Sequence, residues 1–350
     1  MKGDLLALAV GLGENFHEQD LRRGAFSRLF LGGGVFSATR MDECDLRESD
    51  LREVVFDQCQ LSAAMFAGAN LRRAVFHRCT LDHADFRNAN LQGATFADCV
   101  LTHAQFSQAW MGLSTFSRCV LDHASLAGVH CDAASFIESR LVDVNADGSH
   151  WRQSNLLKCD VTALTWHGAR LERVVFHQTA LAGRSFAGMS LDGSQFTGCD
   201  LRAANFAEAS IQQCNFQGAQ IDEAGFSQVQ GTHAIFAQAQ GRGVNFADAR
   251  LRQALFTQAQ LPLARFDRAD LHQVHFAQAQ LPQAVLAGAD LTYADFRHGD
   301  LRQADLRGAT LFRTVLHSTQ TDGALMTDRA RALETDPDLA RAERWQPGAA

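Results

Sequence analysis

Several residue types and patterns are scarce in this sequence of 350 residues, and each scarcity limits what the chain can be. It has four prolines and one tyrosine, and no Ser/Gly-rich linker divides it. No apolar run approaches the roughly 18 residues that indicate a membrane-spanning helix. The apolar stretch at residues 5–10 is short and lacks a preceding basic run, so it is not expected to be a signal peptide. We therefore expect a cytoplasmic protein without a membrane segment.

Motifs that carry catalysis or bind metal are also missing. The sequence contains no H-E-x-x-H, no G-x-S-x-G, no P-loop and no C-x-x-C. Its net charge is −7 with 20% charged residues, which argues against direct binding to nucleic acid. We predict a protein that is not an enzyme, with no cofactor and no metal.

The dominant feature that is present is a fixed period. Leucine or a close substitute recurs every ten residues, and phenylalanine follows it by five, as in Leu51, Phe56, Leu61 and Phe66. This register runs from about residue 16 to residue 316 without insertion or deletion. The residues between repeat the order small, polar, large apolar, polar, polar. We call the large apolar residue the centre of each five-residue unit.

A period of five fits neither the 3.6 of a helix nor the 2.0 of a strand. Each unit must therefore end in a corner that resets the chain direction, and four corners make a coil of 20 residues. The centre and the small residue two positions before it point inward, and the other three residues point outward. A fixed period of this kind indicates a solenoid.

The units of the form A-(D/N)-(L/F)-x-x resemble the pentapeptide-repeat family over roughly 300 residues of the chain. The resemblance implies an all-β solenoid, a right-handed quadrilateral parallel β-helix of about 15 coils with a short C-terminal helical cap. We expect residues 1–15 to form an N-terminal cap, residues 16–320 the β-helix, and residues 321–350 a C-terminal helical cap or tail. The family is known for binding and scaffolding, not for catalysis.

The C-terminal segment shows helix signals. Residues 327–333 have a helical pattern, and Asp336-Pro337 supplies an N-cap followed by proline at the first helical position. The helix is expected to continue through Leu339 to Trp345. In family relatives a C-terminal helix commonly mediates dimerisation, so this segment forms either a homodimer contact or a monomeric cap.

Two columns of residues follow from the 20-residue coil. Six of the nine cysteines occupy the small inward position of one side, which predicts a buried column of reduced thiols in Ala-sized spaces. These are Cys59, Cys79, Cys99, Cys119, Cys159 and Cys199. His83, His103 and His123 share one outward position. They could bind a metal or repel one another when protonated, but a polar surface ladder is the simpler interpretation.

Breaks in the repeat are informative because the repeat is otherwise strict. Ala146 replaces a Phe centre, and Trp166 occupies the same side one coil later, which suggests compensation of volume. Gly231 and Gly241 replace Leu centres and suggest a bend, a thin position or a partner contact. Arg184 falls at a small inward position, and because burial of its charge is costly we expect it to escape to the surface.

One side of the coil carries apolar residues at the outward position before its centres. We single out Val35, Val55, Val75, Ile235 and Leu255, together with Leu339 and Trp345 of the C-terminal segment, as candidate protein-binding residues. β-Branched residues also suit a strand face without any partner, so a purely structural role remains the alternative.

Three functions are compatible with these features. The first is a protein-binding scaffold or adaptor. This chain resembles the long family members associated with bacterial type VI secretion, whose partners are spike or effector proteins. The second is a DNA mimic that binds gyrase or another topoisomerase, against which the mixed surface charge argues because mimicry needs a dense anionic face. The third is a secreted effector with the β-helix as a targeting module.

Overall fold

The computed structural model describes residues 2–343, and contacts divide the chain into two compact units, Met1–Ala180 and Leu181–Ala350. Both units consist of parallel coils in which a residue pairs with the residue 20 positions later. Examples are Phe56 with Phe76 in the first unit and Ile235 with Leu255 in the second. The coils number about 16 in all. Because pairs recur every five residues along each coil, the coils are four-sided, as the period predicts.

The predicted corners lie at the second residue after each centre. This residue has a positive φ in nearly every unit, for example 57° at Arg73 and 59° at His83. A left-handed backbone costs a non-glycine residue about 1–2 kcal/mol. The ladder offsets this cost because the same residue donates its N–H to the next coil, as Arg73 does to the Gln92 carbonyl at 3.0 Å. The five-residue period is thus a corner repeated at fixed spacing.

The sides that extend for three residues in the first unit form two parallel sheets. The strands are β1 (Asn15–His17), β2 (Val35–Ser37), β3 (Val55–Asp57), β4 (Val75–His77), β5 (Thr95–Ala97), β6 (Thr115–Ser117), β7 (His130–Asp132), β8 (Ser135–Ile137), β9 (His150–Arg152), β10 (Asn155–Leu157), β11 (Arg170–Glu172) and β12 (Val175–His177). One sheet has the order β1-β2-β3-β4-β5-β6-β8-β10-β12, and the other has the order β11-β9-β7. In the second unit β13 (Asp305–Leu306) pairs with β14 (Leu325–Met326), and the remaining sides pair through single bridges.

The centres form the core of both units, as predicted. Every Leu and Phe centre is buried, and most have no exposed surface. Phenylalanines stack along two of the four sides and meet edge-on between those two sides. The ring of Phe96 lies 4.6 Å from those of Phe76 and Phe116 and 5.9 Å, at 89°, from that of Phe86. The core of each unit therefore contains stacks of rings in stacked and edge-to-face geometries.

The cysteine column is buried as predicted, and the structure adds a reason for its composition. Six cysteines were predicted there, and no disulfide forms among the nine cysteines of the chain. The thiol of Cys79 donates to the Phe56 carbonyl at 3.3 Å, and the thiol of Cys99 donates to the Phe76 carbonyl at 3.3 Å. Thr39 and Ser139 use their hydroxyls in the same way. These side chains satisfy a buried carbonyl of the preceding coil, which Ala cannot do.

The two glycine centres do not thin the core, contrary to the interpretation as thin positions. Gly231 and Gly241 are buried within regular ladders, with Gly231 N–H donating to the Arg250 carbonyl at 2.8 Å. A Cβ added at Gly231 would lie 2.8 Å from Leu251 Cδ2 and 3.1 Å from Ile211 Cγ1. At Gly241 it would lie 2.8 Å from the backbone carbonyl carbon and Cγ1 of Ile221. The isoleucines one coil earlier occupy the space that each glycine leaves.

The irregular belt of the first unit is also packed. Trp151 and Trp166 are buried, and the Trp151 ring lies 5.3 Å from that of Phe136. Its indole N–H donates to Ser149 Oγ at 2.7 Å, and the Ser149 hydroxyl donates to the Ala146 carbonyl. Both large rings expected in this belt are therefore buried, and compensation of Ala146 by Trp166 stays a prediction.

Arg184, in the second unit, is only partly buried. Its side chain therefore reaches the surface, as expected from the cost of burying a guanidinium at an inward position.

Helices lie at both ends of the described chain. At the N-terminal end α1 (Gly3–Gly11) buries Leu6 and Val10; a cap was predicted here, but not its helical form. At the C-terminal end a single 3₁₀ turn (Arg329–Arg331) replaces the longer helix expected at residues 327–333. Beyond it α2 (Pro337–Glu343) begins as predicted, with Asp336 Oδ1 accepting the N–H of Asp338 at 2.9 Å.

Trp345 lies outside the described residues. No helix among residues 2–343 is long and apolar enough to cross a membrane.

Candidate protein-binding surfaces

The first candidate strip lies in the first unit, where Val35, Val55 and Val75 are in register on β2, β3 and β4. All three are half-buried, not fully exposed. Beside them the His77 ring meets Asp57, with Nδ1 to Oδ1 at 2.6 Å. The strip is therefore narrow and bordered by polar groups. The next residue in register is Thr95, at which the apolar series ends.

The second strip lies in the second unit and forms the floor of a groove. Ile235 and Leu255, paired in register, line a cavity of about 570 Å³. Its remaining walls contain no Asp, Glu, Lys or Arg side chain, and Tyr293 at one end is 43% exposed. These walls are His233, Gln253, Gln273, His275 and Tyr293. Two of the predicted residues thus meet in one apolar groove, and the sequence reasoning missed its aromatic end.

Glutamines border the same side of the second unit. Gln238 donates to Gln258 at 3.1 Å, and Gln258 donates to Gln278 at 2.7 Å, so their amides form a ladder along the coils. Together with Gln240, Gln260 and Gln280 they line a further groove of about 530 Å³. The recurrence of Gln every 20 residues is the sequence signal that could have revealed this surface.

The third candidate surface lies beside α2, where Leu339 is 43% exposed and lines a cavity of about 600 Å³ with Val315 and Leu333. Buried His317 connects the two ends of this helix. Its Nδ1 accepts the N–H of Asp336 at 3.2 Å, and its Nε2 lies 3.1 Å from Glu343 Oε2. The hydrogen bond from His317 lowers the pKa of Glu343.

His298, His317 and Glu343 place three potential metal-ligand atoms within 4.8 Å of one another. Hydrogen bonding decides against a metal here. Because His317 Nδ1 accepts a backbone N–H, the neutral ring carries its proton on Nε2, the atom that faces Glu343. A metal bound to Nε2 would need the Nε2 lone pair, which would move the proton of the neutral ring to Nδ1. The Nδ1–H would then face the backbone N–H of Asp336, and two donors would oppose each other. The cluster is a set of hydrogen bonds that attaches both ends of α2 to His317.

Many of the surface charges in the described chain form ion pairs. Asp20 Oδ2 lies 2.6 Å from Arg22 Nη2, and the same pair, two residues apart across a centre, recurs along both units, as at Asp300 and Arg302. Hydrogen bonds from Arg22 lower the pKa of Asp20 to about 2. The sequence reasoning counted these charges but missed their pairing, which the recurring Asp-Leu-Arg tripeptide signals. Paired carboxylates do not form a continuous anionic face.

The histidine column forms a ladder, as expected. The His83 and His103 rings stack at 4.8 Å and the His103 and His123 rings at 4.9 Å. Parallel imidazoles project their nitrogens side by side, and His123 Nδ1 lies 3.7 Å from Asp143 Oδ2. The geometry is that of a polar surface ladder.

Comparison of the sequence with protein families gives matches along most of the chain. The family described as "Pentapeptide repeat region" matches residues 14–86, 53–126 and 189–265. That described as "Pentapeptide repeats (8 copies)" matches residues 114–153, 169–206, 269–308 and 289–328. The chain belongs to the pentapeptide-repeat family. The period, the corners and the paired coils are therefore the features of a known repeat.

Solved structures of pentapeptide-repeat proteins are similar to this chain at low identity. HetL, involved in heterocyst differentiation regulation in the cyanobacterium Nostoc sp. strain PCC 7120, is 22% identical over 69% of this chain and 91% of its own, with a TM-score of 0.30. QnrB1, a plasmid-mediated fluoroquinolone resistance protein, is 21% identical over 54% of this chain and 87% of its own, with a TM-score of 0.39. A search of curated proteins found no match.

Proposed function

We propose that this pentapeptide-repeat protein is a non-catalytic scaffold that binds a protein partner through the groove at Ile235 and Leu255. The observation that carries the proposal is the groove itself. It combines an apolar floor, an exposed tyrosine and polar walls of glutamine and histidine on a surface where Asp, Glu and Arg are otherwise frequent. Pentapeptide-repeat proteins are generally structural or binding proteins, and no catalytic motif is present in this sequence.

The lining of the groove defines the partner's chemistry. An apolar side chain of the partner would pack on Ile235 and Leu255, and Tyr293 would supply an aromatic edge of the kind enriched at binding hot spots. The amides of Gln253 and Gln273 can donate to and accept from a peptide backbone. No Asp, Glu, Lys or Arg lines the groove, so a charged segment would lose hydration without gaining a partner. The expected ligand is an extended, uncharged segment with one apolar anchor.

We further propose a class of partner and a cellular location for the protein. A spike or effector protein of a type VI secretion apparatus is the class that the family resemblance implies, and the proposal rests on that resemblance. Nine buried cysteines without a disulfide suit a reducing compartment, which supports a cytoplasmic location. Binding to gyrase as a DNA mimic is the competing function, and pairing of Asp with Arg along both units argues against it.

The experiment tests the groove directly. A photo-crosslinking amino acid is placed at position 253 or 273, and candidate spike and effector proteins are mixed with the purified protein. The expected result is a crosslinked complex that Leu255→Asp reduces at least about tenfold, because a carboxylate would face the partner's apolar anchor. Val100→Asp is the matched control, since Val100 is an exposed apolar residue outside the groove. Equal loss with both variants, or none with Leu255→Asp, contradicts the proposal.

A further inference from the structure

Helix α1 presents two apolar faces, and only one is covered. Leu6 and Val10 are buried against the first coil. Leu5, Leu8 and Leu12 form a second stripe with the i, i+3, i+7 spacing of one helix face, and they are 58%, 61% and 72% exposed. An apolar stripe of this kind on a surface helix indicates an interface. No other described part of the chain covers it.

The first coil, against which α1 packs, also exposes a large apolar side chain. Phe30 is 78% exposed, which makes it the most exposed large apolar residue in the described chain. It follows Leu29, the residue whose side chain lies closest to Gly3 of the helix. Residues 32–34 are all glycine, so no side chain shields the backbone beside Phe30. Helix and first coil therefore both expose large apolar side chains near the N-terminal end of the described chain.

The first coil also has an open strand edge at this end. In later coils the residue before each centre donates its N–H to the preceding coil, as Asp50 does to the Leu29 carbonyl at 2.9 Å. The equivalent N–H groups of Asp20, Ala25 and Phe30 donate to no backbone group within residues 2–343. Unpaired strand edges are templates for pairing with another chain.

The charges on α1 and the contact area it offers indicate which partner could cover its leucine stripe. The α1 segment has Lys2 and Asp4 near one end and Glu14 beyond the other, with no further charge between. It lacks the basic face that draws amphipathic helices to anionic membranes. In an antiparallel pair of α1 helices the leucine stripes would meet, and Lys2 of each copy would approach Glu14 of the other.

A helix of this length presents a footprint of only about 150 Å², calculated from about 1.5 Å per residue and about 11 Å width. A stable interface buries about 800 Å² per partner. The contact must therefore extend over Phe30 and the open edge.

We propose that two copies of this chain associate through their N-terminal ends, with the α1 helices antiparallel and the leucine stripes in contact. A two-fold arrangement places the same patch on both sides, which is the usual construction of a homodimer. The contact lies at the opposite end of the chain from the C-terminal helix expected to dimerise from the family resemblance.

The first test is a cysteine crosslink in the full-length protein. All nine native cysteines are buried, so an introduced surface cysteine is the accessible thiol. Position 8 lies at the middle of the stripe and, in an antiparallel pair, next to its counterpart. Under mild oxidation Leu8→Cys should form a disulfide-linked dimer, whereas Leu113→Cys, at a position of 62% exposure, should remain monomeric. Equal crosslinking of both variants overturns the proposal.

The second test measures self-association by sedimentation over the micromolar range. Leu8→Glu should weaken the dimer by about tenfold or more, because the contact would bury a carboxylate among leucines. Leu8 is exposed, so the variant should keep the thermal transition of the unmodified protein. A dimer lost with Leu339→Glu but kept with Leu8→Glu places the contact at the C-terminal helix and overturns the proposal. A protein that is monomeric throughout, or that binds phosphatidylcholine/phosphatidylglycerol vesicles as a monomer, overturns it as well.

Discussion

The two glycine centres allow a sharp test of how this core is packed, because the same substitution should have different effects at each. Neither Gly231 nor Gly241 has a positive φ, so alanine is compatible with both backbones. Alanine restricts the unfolded chain, which alone would stabilise the protein by about 0.4–1 kcal/mol. The difference therefore comes from the space around each new methyl group.

At position 231 the closest atom to the new Cβ is Leu251 Cδ2, at 2.8 Å, the free end of a flexible side chain. A small rotation of Leu251 relieves the contact, and we expect Gly231→Ala to leave stability nearly unchanged. At position 241 the Cβ would lie 2.8 Å from the backbone carbonyl carbon of Ile221 and equally close to Val244 Cγ2. Backbone held by the ladder cannot rotate away, so Gly241→Ala should cost about 1–3 kcal/mol, the range for overpacked cores.

The assay is thermal and urea unfolding of both variants beside the unmodified protein. For a unit of this size each kcal/mol lowers the melting temperature by about 2–4 °C. Long repeat arrays can unfold in several steps, so amide hydrogen exchange around residues 221–260 should locate the loss. Ile221→Ala should cost less stability in the Gly241→Ala background than in the unmodified protein, because the added methyl group fills part of the space that Ile221 Cγ1 leaves. A loss with Gly231→Ala equal to that with Gly241→Ala would refute this account of the packing.

Four further predictions test other parts of the molecule. Phe96→Ala should lower the free energy of unfolding by about 3–5 kcal/mol, because stacked rings on both sides cannot collapse into the cavity; a loss below about 1 kcal/mol in urea titration would contradict the packing described. The cysteine column should resist alkylation in the folded protein and react on unfolding, and mass spectrometry showing rapid native labelling would contradict its burial. The hydrogen bond from Arg302 lowers the pKa of Asp300 below its ordinary value of 3.8. The carboxylate therefore stabilises the folded protein above pH 3.8, and this stabilisation is lost as the pH falls through the lower pKa of the folded state. Asp300→Asn should therefore make the melting temperature fall less steeply at acid pH. The protein should not inhibit gyrase supercoiling at micromolar concentration, and stoichiometric inhibition would revive the DNA-mimic hypothesis.

The binding residues predicted from sequence were chosen from their position alone, and the structure separates them. Ile235 and Leu255 share one groove with Tyr293, whereas Val35 and Val75 lie half-buried on a narrow strip. The sequence places all of these residues in the same column position. All four of these predicted residues are half-buried, and the difference lies in their neighbours: glutamine and histidine border Ile235 and Leu255, whereas a His77–Asp57 hydrogen bond borders Val75. Assigning residues to positions in the 20-residue coil identifies which side chains face outward, but not which side chains they contact.

The sequence by itself determined the coil, its four sides and the identity of the core, because a strict five-residue period leaves one way to bury every centre. It also determined the buried thiols. Only the tertiary structure decided how neighbouring coils share space: that Ile211 and Ile221 fill the volume beside the two glycines, and that Asp and Arg two residues apart neutralise each other. It alone showed that α1 leaves three leucines uncovered. The period determines, from local geometry, whether each side chain points inward or outward. Contacts between coils and at the chain ends depend on the shapes of side chains that are 20 or more residues apart, and the period carries no information about those shapes.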